Sequence, residues 1–244
     1  MADNTLPPDG WETPQRILVI LAHPDDPEFF CGATLAKWAA AGHVITYGLL
    51  TCGDKGTKDR TLSTVQLCTI RQQEQRAAAS IIGVKKVKFL NYEDGYLVPD
   101  LKLRRDVTRL IRQERPDIIV TCDPQFFITP SDRLNHPDHR AAGHAVLDAV
   151  FPAARDHLNF VELWRDESLE PHIVREVWVS LTDRPNVVLD VTAFWEVKIR
   201  ALLEHKSQIG EPEKFLERMR NAHTPSSSTE EPRFEEKFRR LILG

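Results

Sequence analysis

The chain has 244 residues, 41% of them hydrophobic, which suits one sizeable α/β core better than two small ones. Its 36 acidic and 32 basic residues leave a net charge of −4 without a basic stripe, and this argues against a nucleic-acid surface. No apolar run approaches the roughly 20 residues that span a bilayer, and no signal-like segment opens the chain, so a cytoplasmic protein without a membrane span is expected.

Residues 1–15, beginning MADNTLPPDGWE, read as a tail, disordered or laid on the surface. The first strand-like run is 16–22 (RILVILA), and others follow at 44–51, 87–90, 117–122, 176–181 and 186–191. Helix-like stretches fill the gaps at 31–42, 63–82, 101–114, 139–151 and 192–208, with Gly42, Gly83 and Pro116 where helices should stop. This alternation predicts an α/β fold, a mostly parallel sheet with helices on both faces. The turn cluster TDRP between the last two runs predicts antiparallel edge strands near the C-terminus, joined as a hairpin. Residues 209–232 are rich in Pro, Ser and Glu, and TPSSSTEEP marks a flexible stretch near 221–232. No repeat or boundary appears, so 16–244 reads as a single domain. Cys31, Cys52, Cys68 and Cys122 form no C-x-x-C pair and have apolar neighbours, which predicts small buried hydrophobes.

Ligands in open α/β sheets bind beyond the carboxyl ends of the strands. The loop after the first strand presents His23, Asp25, Asp26 and Glu28 around Pro24 and Pro27. It has no G-x-G-x-x-G, and its adjacent carboxylates would repel a pyrophosphate, so a dinucleotide site is disfavoured. TCGDKG (51–56) and NYEDGYL (91–97) follow the next strands, and NHPDHR, with His136, Asp138 and His139, follows the fourth. Imidazole and carboxylate donors suit Zn²⁺ or another first-row divalent ion. A catalytic site of this kind wants three protein ligands and an open position, and two ligands from one loop with one from the other would supply it. Glu28 fits the first turn of the next helix, His144 reads as structural, and Trp38 and Trp195 read as core.

AHPDD after the first strand, with HPDH after a later one, resembles the LmbE-like/PIG-L family of metal-dependent N-acetylglucosaminyl de-N-acetylases. The likeness runs over residues 16–151 and more faintly over 186–208. It implies a Rossmann-like fold and hydrolysis of an N-acetyl group on a small substrate, an N-acetylated amino sugar or its conjugate. It further implies one divalent ion, Zn²⁺ first, with Fe²⁺, Mn²⁺ or Co²⁺ as substitutes, held by His23, Asp26 and His139. Asp25 would be the general base and His136 the charged partner of the tetrahedral intermediate. Arg71 and Asp94 fall where relatives hold substrate, and Asp138 would orient a histidine from behind or cap the helix that follows. His205, in the fainter stretch, is expected to reach an active site, a neighbouring subunit's included, so a homo-oligomer is compatible. One departure stands out: some relatives carry a tyrosine two residues before the first histidine of the second motif, and here the residue is Leu134. Two other functions fit less of this pattern. One is deacylation of a different small amide metabolite, with QFFITP (125–130) lining an apolar subsite. The other is metal-dependent sugar binding without turnover, which the presence of both Asp25 and His136 disfavours.

Overall fold

In β1 (Arg16–Leu21) alternate side chains serve opposite faces: Ile17, Val19 and Leu21 join one apolar cluster, Leu18 and Ile20 the other. A strand apolar on both faces belongs in the middle of a covered sheet. The computed structural model, which describes residues 9–129 and 132–243, places it there. β2 (Val44–Thr51) and β4 (Ile118–Cys122) flank β1 in parallel, with β3 (Lys86–Tyr92) beyond β2 and β5 (Glu176–Ser180) beyond β4. The helices α1 (Asp26–Ala40), α2 (Thr64–Ile82), α6 (Trp195–Leu202) and α7 (Pro212–Arg220) pack on one face. On the other lie α3 (Leu101–Glu114) and α4 (Pro137–Asp148), and the short α5 (Val161–Arg165) precedes β5. The expected α/β architecture is present, and no helix among the described residues is long and apolar enough to cross a membrane.

The chain runs outward from β1 to β2 and β3, then returns to β4 on the other side of β1. That reversal sets the loops after β1 and β4 side by side and opens a crevice between them.

The antiparallel strands near the C-terminus exist, but the hairpin expected of residues 176–191 does not form. β7 (Glu235–Ile242) lies between β5 and β6 (Val187–Asp190) and pairs antiparallel with both. Its sequence EEKFRRLI hides it, because one of its inward positions is an acid. Buried Glu236 accepts the Ala33 and Thr34 N–H groups at 3.2 and 2.8 Å and the Lys198 ammonium at 2.7 Å. These N–H groups are free because α1 breaks at Cys31, where φ is −150°. Lys198 Nζ in turn donates to the Phe29 carbonyl at 2.8 Å. The ion pair is thus inserted where Ala33 N–H would have met Phe29 C=O, and it ties the first turn of α1 to the C-terminal strand.

Trp11 packs edge-on against Trp38 and Trp178, with ring centroids 5.2 and 5.8 Å away, so residues 9–15 of the expected tail lie on the core. Residues 1–8 fall outside the described residues. Within the stretch expected to be flexible, the Thr224 N–H closes a turn onto the Arg233 carbonyl at 2.7 Å. The cysteine expectation needs correction. Cys31 and Cys122 are free and buried, but Cys52 and Cys68 form a disulfide that ties the loop after β2 to α2. Their separation of 16 residues gives no local signal.

Candidate metal centre

Asp25 turns the chain from β1 into α1 with φ at 85°, the left-handed region, which costs an L-residue about 1–2 kcal/mol. Asp26 then opens the helix, Pro27 pre-sets its first turn, and the Asp26 carboxylate folds back to accept the His23 N–H at 2.8 Å. Across the crevice, a Cβ on Gly143 would stand 2.2 Å from the Cys122 carbonyl. Glycine there lets α4 press onto β4, and this brings His139, one turn earlier, to the rim.

His23, Asp26 and His139 each offer a ligand atom within 4.8 Å of the others. Asp26 lies between the rings, 3.3 Å from His23 Nδ1 and 3.1 Å from His139 Nε2. The outward nitrogens are held by oxygen. His23 Nε2 meets Asp94 at 3.1 Å and Asp138 at 3.3 Å. His139 Nδ1 meets Asn135 Oδ1 at 2.8 Å, and the Asn135 amide is itself oriented by donating to the Phe126 carbonyl at 2.7 Å. Carboxylate and amide oxygens accept the ring N–H there, so His23 Nδ1 and His139 Nε2 turn their lone pairs inward, as metal-binding histidines do. Two imidazoles and one carboxylate are a donor set that fits a first-row divalent ion. His136 could join His23 and Asp138 in a second grouping, but Asp138 is already engaged by the Gly95 and Leu97 N–H groups at 2.7 and 3.3 Å.

The electrostatics follow from burial. Burial works to raise the Asp26 carboxyl, yet the His139 and His23 rings hold it far below the usual carboxylate range. Burial lowers His23, but Asp26, Asp138 and Asp94 outweigh it and raise the ring well above its ordinary value. So much acid around one imidazole calls for positive charge, whether a proton or a cation. Asp25 is pushed up to about 6 by burial against the pull of the Arg71 guanidinium, with the Asp26 charge adding to the rise. His136 moves down, through burial and the nearby His23. Its Nδ1 accepts the Asp138 N–H at 3.2 Å, which leaves Nε2 as the ring nitrogen able to donate.

Several expected roles change with the contacts. Asp138 is fully buried, 3.3 Å from His23 Nε2. Asp94, expected on substrate, is also buried and spends its oxygens on His23 and on the Lys55 N–H at 3.3 Å. Arg71, likewise expected on substrate, donates to the Gly53 and Pro24 carbonyls at 3.0 and 2.7 Å and to Asp25 at 3.1 Å. Gly53 is required beside it, since a Cβ there would lie 2.1 Å from Nη1. His205 is fully buried in its own chain, 3.2 Å from Glu28, and so cannot reach a neighbouring subunit's site. Sequence reasoning missed Gln75, which accepts the Asp25 N–H at 2.8 Å. It sits in the polar run RQQEQR, which looks solvated, although its spacing of one turn from Arg71 puts the two on one face.

Arg71→Lys should therefore act on kcat rather than on substrate binding. A point charge cannot span three acceptors, and each lost charged hydrogen bond is worth about 1.5–3 kcal/mol. We expect kcat to fall roughly 10- to 100-fold with KM and metal content near wild type. A rise in KM at constant kcat would return Arg71 to the substrate.

The PIG-L family, described as GlcNAc-PI de-N-acetylase, matches residues 18–150. A diacetylchitobiose deacetylase from Thermococcus kodakarensis is 36% identical over 197 residues, covering 81% of this chain and 71% of the relative. The structure of N,N′-diacetylchitobiose deacetylase from Pyrococcus horikoshii superimposes with a TM-score of 0.82 at 31% identity, covering 93% of this chain and 84% of that one. A 4-carboxy-2-hydroxymuconate hydratase from Pseudomonas putida shares the fold alone, with a TM-score of 0.67 at 19% identity over 94% of this chain and 97% of that one. A family match over more than half the sequence, the deacetylase relatives and a crevice lined by both histidine–aspartate motifs agree: the chain belongs to the PIG-L family of de-N-acetylases, hydrolases of carbon–nitrogen bonds other than peptide bonds.

Proposed function

We propose that this chain removes the acetyl group from an N-acetylglucosamine unit of a small saccharide, using one divalent ion, Zn²⁺ first among the candidates. N,N′-diacetylchitobiose, named for the Thermococcus and Pyrococcus relatives, is the first substrate to try. The observation that carries the proposal is the convergence of His23, Asp26 and His139 within 4.8 Å, with Asp25 beside Asp26 and His136 beside His139 in the chain.

His23, Asp26 and His139 would hold the divalent ion, whose chemistry when bound would be to polarise the acyl carbonyl and to lower the pKa of water toward about 7. Asp25, deprotonated, accepts the water proton as oxygen attacks the carbonyl carbon. The His136 Nε2–H donates to the oxygen on which negative charge develops. Asp25 then passes its proton to the nitrogen, because an amide anion is too basic to leave. The carbon–nitrogen bond breaks, and acetate and the amine depart. Arg71 holds Asp25 throughout, while Asp94 and Asp138 keep the His23 ring oriented.

The rim beside His136 favours a second substrate class. Phe127, Ile128 and Leu134 are 57%, 59% and 86% exposed, and Ile128 pairs with Leu134 in the loop that leads into His136. An apolar rim of this kind suits a sugar that carries a hydrophobic aglycone, and acetamido sugars of that type belong in the same assay.

Purified protein should hold about one divalent ion per chain and release acetate from N,N′-diacetylchitobiose. Dialysis against a chelator should lower the rate about 10²-fold or more, and added Zn²⁺ should restore it. Full acetate release by protein that elemental analysis finds metal-free would end the proposal.

A further inference from the structure

Left-handed backbone at Asp25 needs something to hold it, and Gln75 is placed to do so. The Asp25 N–H donates to Gln75 Oε1 at 2.8 Å. A backbone N–H can only donate, so this bond fixes which end of the amide is oxygen. The Gln75 NH₂ then faces Glu28 and donates to both carboxylate oxygens at 3.0 Å. Glu28 accepts in turn from His205 Nε2 at 3.2 Å. Glu28, Gln75 and His205 are all 0% exposed. Burying a carboxylate, an amide and an imidazole together is costly unless each is satisfied by the next. An apolar contact between α1, α2 and the turn after α6 would serve packing at lower cost. Among the described residues, the side-chain bonds of this relay run to Asp25, within the relay and to the Tyr47 hydroxyl beside Glu28, not to His23, Asp26 or His139.

We propose that Gln75, backed by Glu28 and His205, is the positioning residue for the general base: it selects the left-handed backbone at Asp25 that presents the carboxylate to the crevice. The inference rests on Asp25 being the base. Freed from Gln75, Asp25 relaxes toward ordinary backbone, and the competent population falls about 5- to 30-fold.

The test uses the Zn²⁺-loaded full chain with N,N′-diacetylchitobiose and measures kcat, KM and bound metal. Gln75→Met keeps length and volume but deletes both hydrogen bonds, so kcat should fall about 5- to 30-fold with KM and metal unchanged. Gln75→Glu, as a neutral acid, accepts from the Asp25 N–H and gives its own proton to Glu28, so kcat should stay within about threefold of wild type. The deciding measurement is the double variant. If Gln75 acts through Asp25, Gln75→Met costs little more in an Asp25→Asn background. The same loss in both backgrounds, or wild-type kcat in Gln75→Met, overturns the proposal. Should Gln75→Met not fold, Gln75→Leu takes its place: a kcat loss that vanishes beside Asp25→Asn supports the relay, and wild-type kcat, or a loss that persists there, overturns it. Wild-type kcat in Asp25→Asn alone would instead remove the base assignment, and the relay's purpose with it.

Discussion

Asp25→Asn should keep its divalent ion and lose about 10²–10⁴ in kcat, the usual weight of a general base. The substitution is clean because asparagine keeps the shape of aspartate and tolerates left-handed backbone, so φ at 85° is retained. Charge and basicity are what it removes. Burial pushes Asp25 up to about 6, and the positive charge of a bound ion moves it back down. A base works deprotonated, so kcat/KM should decline as pH falls through the value Asp25 has in the loaded enzyme. Asp25→Asn should abolish that acidic limb, and added metal should not rescue the rate. Metal content measured beside a pH–rate profile decides it, and a variant with normal rate and an intact acidic limb would rule Asp25 out.

Asp26→Asn should fail in the opposite way, by losing the ion. The Asp26 oxygens stand 3.3 Å from His23 Nδ1 and 3.1 Å from His139 Nε2, so this carboxylate is the charged member of the proposed ligand set. A neutral amide oxygen is a poorer ligand for a divalent cation. Affinity should drop by at least the roughly 10- to 100-fold that loss of a merely outer-sphere partner costs. Activity at micromolar Zn²⁺ should fall in step, and excess Zn²⁺ should recover part of it. The contrast between adjacent residues is the strongest check on the mechanism. If Asp25→Asn loses the ion and Asp26→Asn keeps it, the two roles are exchanged. If both variants keep the ion and turn over normally, metal-assisted hydrolysis at this crevice is wrong.

The two motifs were legible in the sequence because their position follows from the strands that precede them. RILVIL is apolar on both faces, so it must be a covered central strand, and whatever follows it stands at the carboxyl rim. His23, Asp25 and Asp26 there, with His136 and His139 after another strand, are donor types too dense to be accidental surface. The roles of the surrounding residues were not legible. Arg71 and Gln75 lie in a polar helical run that looks solvated, and it is the packing of α1, the loop at Gly53 and the turn carrying His205 against α2 that buries them. Asp94, expected on substrate, shows its partner only when folding sets it against His23.

Local pattern by itself determined the parallel half of the sheet, the place of the two histidine–aspartate loops on its carboxyl rim and the residue types suited to a metal, because strand burial and donor chemistry both act through the identity of neighbouring residues. Only the tertiary structure decided the place of β7, the Cys52–Cys68 bridge and the pairing of Arg71 with Asp25, of Asp94 with His23 and of His205 with Glu28. Each of these joins residues distant in sequence through hydrogen bonds or a covalent bond, and a buried polar group shows its purpose only when its partner from another element has come within about 3 Å.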